Sequence, residues 1–281
     1  MKAIHSSKSL LSLLALTSFA YANNALDVNT NTQNNKTVQI AITTWGSDFY
    51  YSIMSVMGTT AIGILAASAM KPRSDRVFFY MSAALCFVAC IAYFAMGSNL
   101  GWTPIDVEWV RGMNGVRGAN REIFYARYID WYKWGNTSQG NRICVHELML
   151  FLGFYTFGCV AMFGVFYQLA VVGRASAKRL GRDVHRVFLI CGVLTLFVWL
   201  LYPIAWGLCE GGNVISPNDE AVFYGCLDFM AKPVFSIALI IGHWGIKPER
   251  LGLKIEDYTD PEKPVPHQEN DLQASPRGHL A

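Results

Sequence analysis

Long apolar stretches alternate with short polar segments along this chain, and their lengths predict membrane-spanning helices. A helix needs about 20 predominantly apolar residues to cross the hydrocarbon core of a bilayer. The pattern predicts an all-α integral membrane protein whose transmembrane domain covers residues 48–246. Five stretches are long enough to be clear spans: residues 49–70, 77–97, 143–172, 187–208 and 221–244.

The charges between these stretches predict how the chain is oriented. The segments 71–76 and 174–186 are rich in Lys and Arg, which favours the cytoplasmic side. The loop before the last span carries Glu210, Asp219 and Glu220 without a basic residue, which suits the outer side. Five spans then place the N-terminus outside and the C-terminus in the cytoplasm, most simply in the plasma membrane. The long segment 98–142 would be external.

The two ends differ from the apolar middle. Residues 1–22 combine early lysines, a short apolar run and a small-x-small site at Ala20-Tyr21-Ala22, which predicts a signal peptide. An uncleaved anchor is the alternative. Residues 23–47 are rich in Asn and Thr and predict a disordered extracytoplasmic tail. Residues 247–281 are polar and Pro-rich, and predict a disordered cytoplasmic tail.

Composition narrows the classes of partner. Hydrophobic residues make up 53% of the chain, charged residues 15%, and the net charge is only +3. A lipid bilayer is therefore the expected partner, and nucleic acid is not. The seven cysteines fall mostly inside apolar segments without a metal-ligand spacing. They predict small buried side chains and no disulfide framework or metal site.

Lys232 is the most unusual residue, because it lies inside the last apolar run. A charged side chain at the middle of a membrane costs at least about 2.5–3.5 kcal/mol. Asp228, four residues earlier, lies on the same helical face and supplies a pairing partner. A buried lysine is also the usual route to a Schiff base with a carbonyl compound. The alternative is a structural Lys–Asp pair in a helix bundle.

Three short motifs occur together with this lysine. They are Ala-Arg-Tyr-Ile-Asp-Trp at 126–131, Trp-Leu-Leu-Tyr-Pro-Ile-Ala-Trp at 199–206 and Leu-Asp-Phe-Met-Ala-Lys at 227–232. In this order they resemble the third, sixth and seventh helices of the microbial (type I) rhodopsins, particularly the fungal opsin branch. The resemblance implies a rhodopsin-like helix bundle and an all-trans retinal bound to Lys232 as a Schiff base.

The resemblance also implies roles for the charged residues. Asp130 and Asp228 would be the counter-ions of the protonated Schiff base, and Asp130 would accept its proton after photoisomerisation. Arg127 would keep these carboxylates ionised. Glu210 and Glu220 would be the outer proton-release acids, although each read singly is a solvated loop acid.

Aromatic residues are implied as the walls of the chromophore pocket. Positions 199, 202, 203 and 206 fall on one helical face. Ordinary packing and interfacial anchoring are the alternatives for any single tryptophan. The residues implied to wall the polyene are Trp131, Trp199, Tyr202, Pro203 and Trp206.

The middle of the chain departs from the family pattern of seven helices. After Trp131 the sequence is polar and contains glycine as far as 142, where the family continues its third helix. The next apolar run resumes the family's fifth helix at about Phe154. The third helix is therefore predicted to be a truncated stub, with residues 136–153 inserted. Either an imperfect gene model or a genuinely shortened protein explains this. Pumps of the family place a proton donor where Asn141 now falls.

These observations favour a retinal-binding, light-responsive membrane protein derived from a proton pump, and not an enzyme. Its output would be either light-driven proton transport or photosensory signalling, so protons are expected partners. A second copy of the chain or a signalling protein stays open as a further partner. The alternative is a non-photoactive opsin-related protein with a structural or stress role. A third class is a transporter that uses Lys232 and Asp228 as a proton-coupled ion pair.

Overall fold

The computed structural model describes residues 25–33, 36–107, 119–131 and 146–253. Within that part of the chain, five helices are long and apolar enough to cross a membrane. They are Thr44–Ser68, Val77–Gly97, Gly158–Leu180, Arg182–Gly211 and Pro217–His243. The predicted helical membrane protein with five spans is confirmed, although individual helix ends differ from the predicted limits by several residues.

The first two helices form a tightly connected pair. Helix α1 (Thr44–Ser68) is joined to α2 (Val77–Gly97) by a turn that contains the 3-10 segment Arg73–Asp75. At the far end of the pair, the Ser47 hydroxyl donates to the Gly97 carbonyl at 2.6 Å. Buried side chains of both helices meet between them, among them Tyr50 and Tyr93. This pair forms the wall that faces the last helix.

Residues 25–47 are folded where the structure describes them, which corrects the predicted disordered tail. Strands β1 (Thr32–Gln33) and β2 (Lys36–Thr37) make a small hairpin. The chain then runs along a second hairpin, where the Ile40 amide donates to the Asn120 carbonyl at 3.1 Å. Val38 and Ile42 are buried. The Asn- and Thr-rich composition concealed this order, although Val38, Ile40 and Ile42 follow the alternation that is typical of a strand.

The second hairpin and a short helix follow α2. Strands β3 (Thr103–Val107) and β4 (Ala119–Ile123) are antiparallel, with Thr103 opposite Ile123. These strands were not predicted. Helix α3 (Tyr125–Trp131) follows and contains the third-helix motif at 126–131. Residues 132–145, which hold Asn141 and most of the predicted insertion, lie outside the described residues.

The remaining helices are long but not uniformly α-helical. Gly181, at φ +127°, separates the helix that ends at Leu180 from the helix that begins at Arg182, in a backbone conformation that L side chains rarely adopt. The helices are α4 (His146–Tyr167), α5 (Arg174–Leu180), α6 (Arg182–Trp206), α7 (Pro217–Phe229) and α8 (Phe235–His243). Segments of π-helix join α4 to α5 (Gln168–Gly173), extend α6 (Gly207–Gly211) and join α7 to α8 (Met230–Val234).

The π-helical segment between α7 and α8 contains Lys232 and Pro233. A proline inside a helix has no N–H to donate and displaces the preceding turn, which explains a local widening. Such widened turns are frequent at functional sites. The helix therefore changes geometry at the residue that the sequence marks as unusual.

The C-terminal residues that the structure describes are also ordered. A 3-10 turn, Pro248–Leu251, follows α8, and Arg250 donates to Asp183 at 2.7 Å. The predicted disordered tail of 247–281 is therefore wrong for residues 247–253. Residues 1–24, with the predicted signal peptide, and residues 254–281 lie outside the described residues.

Candidate functional site

Lys232 and Asp228 form the buried ion pair that their spacing predicts. The Lys232 Nζ lies 3.2 Å from the Asp228 Oδ1. Lys232 is 6% exposed and Asp228 is 1% exposed. A buried charge is tolerated only when it is paired and hydrogen-bonded. The contact therefore explains how an apolar span accommodates this lysine.

Two tyrosines hold the carboxylate of this pair from neighbouring helices. The Tyr93 hydroxyl donates to the Asp228 Oδ2 at 2.7 Å. The Tyr202 hydroxyl donates to the Asp228 Oδ1 at 2.5 Å. Each oxygen of the Asp228 carboxyl group therefore accepts one hydroxyl hydrogen bond. Helices α2, α6 and α7 thus meet at one carboxylate, which is fixed beside the amine.

A second group of buried charges centres on Arg127 of α3. Its Nη1 donates to Glu220 Oε1 at 2.5 Å and lies 3.4 Å from Glu210 Oε1. Its Nη2 donates to the Tyr50 hydroxyl at 2.8 Å. The guanidinium also stacks over the Tyr224 ring, 4.0 Å from the ring centroid. Three residues predicted from the sequence, Arg127, Glu210 and Glu220, therefore do come together.

Arg121 joins the same group from strand β4. Although it is 0% exposed, its Nη2 donates to Glu220 Oε2 at 2.6 Å. Its Nη1 donates to the Ile215 carbonyl at 2.7 Å and to the Asn213 side chain. Each oxygen of Glu220 thus receives one guanidinium, from Arg121 and from Arg127. Such charge-assisted hydrogen bonds are the strong ones.

Glu122, the next residue of β4, is 1% exposed and lies at the edge of these charges. Its Oε2 accepts a hydrogen bond from the Ile42 amide at 2.9 Å. Burial raises the pKa of this carboxyl to about 7, and the negative charge of Glu220 adds to the rise. The Ile42 amide acts in the opposite direction. We call Arg121, Glu122, Arg127, Glu210 and Glu220 the outer cluster, because the sequence predicts this end of the bundle to be outside.

Tyrosine rings connect the two groups of charges. Tyr50, which bonds to Arg127, packs edge-to-face on Tyr93 with ring centroids 5.8 Å apart. Tyr93 in turn bonds to Asp228. On the other side, the rings of Tyr202 and Tyr224 lie 6.2 Å apart. Polar hydroxyls therefore line the space between the inner ion pair and the outer cluster.

The residues implied as chromophore walls are only partly described. On α6, Trp199 is 40% exposed, while Tyr202, Pro203 and Trp206 are half-buried. Of these, Tyr202 reaches Asp228. The backbones of Asp130 and Trp131 belong to α3, but their side chains lie outside the described part. The roles of Asp130 and of the tryptophans stay predictions.

The sequence interpretation missed several polar residues of the site, among them Tyr50, Tyr93, Arg121, Glu122, Tyr128 and Tyr224. Nothing in the sequence around Tyr93 marks it as a partner of Asp228, and Tyr128 was passed over within its motif. The Tyr128 hydroxyl donates to Glu210 Oε2. A signal was present for Arg121 and Glu122: they are two adjacent opposite charges directly before the apolar residues Ile123 and Phe124. Their burial depends on residues 38–42, which the sequence interpretation assigned to a tail.

Comparison with known proteins identifies relatives for most of the chain. The family model described as bacteriorhodopsin-like protein matches residues 134–246. The opsin-like protein carO of Fusarium fujikuroi is 43% identical over 287 residues, covering 92% of this chain and 93% of that protein.

Solved structures give the same result for the fold. The light-driven proton pump LR (Mac) of Leptosphaeria maculans matches with a TM-score of 0.62 at 23% identity, covering 74% of this chain and 100% of that one. The light-driven proton pump CsR of Coccomyxa subellipsoidea matches with a TM-score of 0.61 at 26% identity, covering 73% and 99%. The predicted rhodopsin-like helix bundle is confirmed.

Proposed function

Because this chain belongs to the microbial rhodopsin family, in its fungal opsin branch, we propose that it binds retinal at Lys232 and moves a proton outward in response to light. The observation that carries the proposal is the buried Lys232 amine, 3.2 Å from the Asp228 carboxylate. An amine in this setting is available for a covalent bond to an aldehyde, and the carboxylate is already in place as its counter-ion.

The residues around Lys232 fit a retinal chromophore. The amine is buried, its counter-ion is held by two tyrosine hydroxyls, and the aromatic face of α6 begins beside it at Tyr202. Flat aromatic rings suit a conjugated ligand. When bound, retinal supplies light absorption and a light-induced change of geometry at the Lys232 nitrogen. All-trans is the isomer that we propose.

The protein's own residues define the direction of proton movement. Asp228, fixed by Tyr93 and Tyr202, stabilises positive charge at Lys232. Asp130, one turn after Arg127 on α3, is the proposed proton acceptor. Arg127 contacts both Glu210 and Glu220, so its position responds to charge at either acid. A proton that leaves the Lys232 site therefore moves along a path that ends at the outer cluster.

Retinal binding is tested by adding all-trans-retinal to the expressed protein in membranes. We expect a visible absorption band that is lost in Lys232→Ala. Lys247→Ala is the matched control, because Lys247 is exposed near the end of the described chain. That variant should keep the band. The absence of a band in the unmutated protein would contradict the proposal and favour a non-photoactive opsin-related protein.

Transport and signalling are separated by a second measurement. Protein with the visible band is placed in vesicles of known orientation, and the pH change on illumination is recorded. A sustained, light-dependent proton flux toward the predicted outer side supports transport. A photocycle that occurs without net flux would instead support a sensory role.

A further inference from the structure

We propose that Glu122 is a third proton-holding carboxyl of the outer cluster, which keeps one proton in the dark and releases it to external water when the cluster gains positive charge. The dark protonation stands on the described contacts, whereas the light-driven release rests on the proposed function. The sequence motifs do not identify Glu122 as a residue of the site.

The charges of the outer cluster do not balance without such a proton. The cluster contains three buried carboxyls, Glu122, Glu210 and Glu220, and two buried guanidiniums, Arg121 and Arg127. With all of them ionised, one negative charge is left in excess. An uncompensated buried charge is costly, and a carboxyl group avoids that cost by taking up a proton.

The hydrogen bonds indicate which carboxyl holds the proton. Glu220 is bonded to both guanidiniums, one at each of its oxygens. Glu210 lies near Arg127 and accepts from Tyr128. Glu122 makes no ion pair among the described residues, and its Oε1 is buried without a hydrogen-bond partner there.

The surroundings of Glu122 also favour the neutral form while keeping it close to ionisation. Residues 38–42 contribute the Ile42 amide, α7 contributes the negative charge of Glu220, and α1 contributes the Tyr50 hydroxyl. On its own strand, the neighbouring Arg121 donates its guanidinium hydrogen bond to Glu220. Burial and the negative charge of Glu220 raise the pKa of Glu122 to about 7, whereas the hydrogen bond from the Ile42 amide lowers it. The proton is therefore held at mildly acidic pH and exchangeable at neutral pH.

The proposed release conserves protons and charge. A proton that reaches Glu220 neutralises that carboxylate and removes the negative charge that disfavours ionisation of Glu122. The O–H bond of Glu122 then breaks, its proton passes to external water, and the carboxylate keeps the electron pair. One proton enters the cluster and one leaves, so the net charge of the cluster is unchanged.

The dark protonation is tested by infrared spectroscopy on protein without retinal, titrated from about pH 5 to about pH 9. We expect a carbonyl stretch of a protonated carboxylic acid that disappears with a midpoint near pH 7. Glu122→Gln should remove this band, since glutamine keeps an acceptor for the Ile42 amide but cannot titrate. Glu249→Gln, at an exposed glutamate, should leave the band in place.

A folded Glu122→Gln variant that keeps the band would overturn the proposal. If that variant does not fold, carbon-13 labelling of the glutamate carboxyls in the unmutated protein decides the question by magnetic resonance. A glutamate that titrates near pH 7 supports the proposal, and a protein in which every glutamate is ionised by about pH 5 refutes it.

Release in light is tested separately on protein that has formed pigment. With a pH-sensitive dye after a flash, Glu122→Gln should lose prompt proton release at neutral pH while Glu249→Gln retains it. Equal prompt release in both variants would contradict the role in light. Failure to form pigment would count against the proposed function alone, because the dark titration does not depend on retinal.

Discussion

The molecule contains two groups of buried charge that are built in different ways. The inner pair consists of Lys232 and Asp228, four residues apart on one helical face. The outer cluster joins residues from β4, α3, α7 and the end of α6, and Arg121 lies 99 positions before its partner Glu220. The inner pair needs only local helix formation, whereas the outer cluster needs most of the fold.

The two groups differ in how much of the chain must fold before their charges are paired. The inner pair gains its geometry from the helical period, so its position is a local property of one segment. The outer cluster links strands and helices that are distant in sequence, and its charges stabilise the closed end of the bundle only when all are present. Loss of one member should therefore be costly there, since its partners are left buried.

The largest effect is expected when Arg121 is removed. Arg121→Met leaves Glu220 with one guanidinium and leaves the Ile215 carbonyl and the Asn213 side chain without their donor. We expect the free energy of unfolding in detergent to fall by about 3–5 kcal/mol. Arg250→Met is the control, because the Arg250–Asp183 pair is exposed, and little change is expected. Equal losses of unfolding free energy in both variants would contradict the difference expected between the buried cluster and an exposed ion pair.

The second-largest effect is the dependence of the unfolding free energy on pH, which Glu122 causes. In the folded protein the pKa of Glu122 is about 7, above the ordinary value of 4.5, so the fold binds this proton more tightly than the unfolded chain does. The corresponding stability is fully present below about pH 4.5 and is lost as the pH rises to about 7, by about 3 kcal/mol in total.

Glu122→Gln should abolish this loss. The measurement is the unfolding free energy of the unmutated protein and of the variant at several pH values between about 4.5 and 7. The difference between the two proteins isolates Glu122 from other titrating groups. Parallel curves would show that Glu122 does not titrate in this range.

The smallest effect is expected at the inner pair. Lys232→Met, Asp228→Asn and the double variant form a double-mutant cycle, with a coupling energy of about 0.5–3 kcal/mol. Asp228 keeps its bonds from Tyr93 and Tyr202 when Lys232 is absent, which limits the cost. Unfolding free energies of the four proteins measure the coupling. A value above the Arg121 effect would reverse the ranking of the two groups.

The sequence predicts features that depend on local period or segment length. The five spans follow from apolar length, and the Lys232–Asp228 contact follows from a spacing of four. Tyr93 could not be identified this way, because its bond to Asp228 joins positions 135 apart. The strand-like path of 38–42 was also missed, because the alternation of Val38, Ile40 and Ile42 covers only five residues beside an Asn- and Thr-rich stretch. The side-chain position of Asp130 stays a prediction.

The wide sequence separation inside the outer cluster has a consequence for biosynthesis. In the predicted orientation, Arg121 and Glu122 reach the aqueous exterior before α7, which carries Glu220, has been inserted. Until then both charges are hydrated, so neither has to be desolvated alone. The ion pairs of the cluster can form only after the last span has inserted. A complete cluster is therefore present only when the whole chain has been inserted correctly. A chain truncated before α7 should therefore expose β4 to proteases that the complete protein resists.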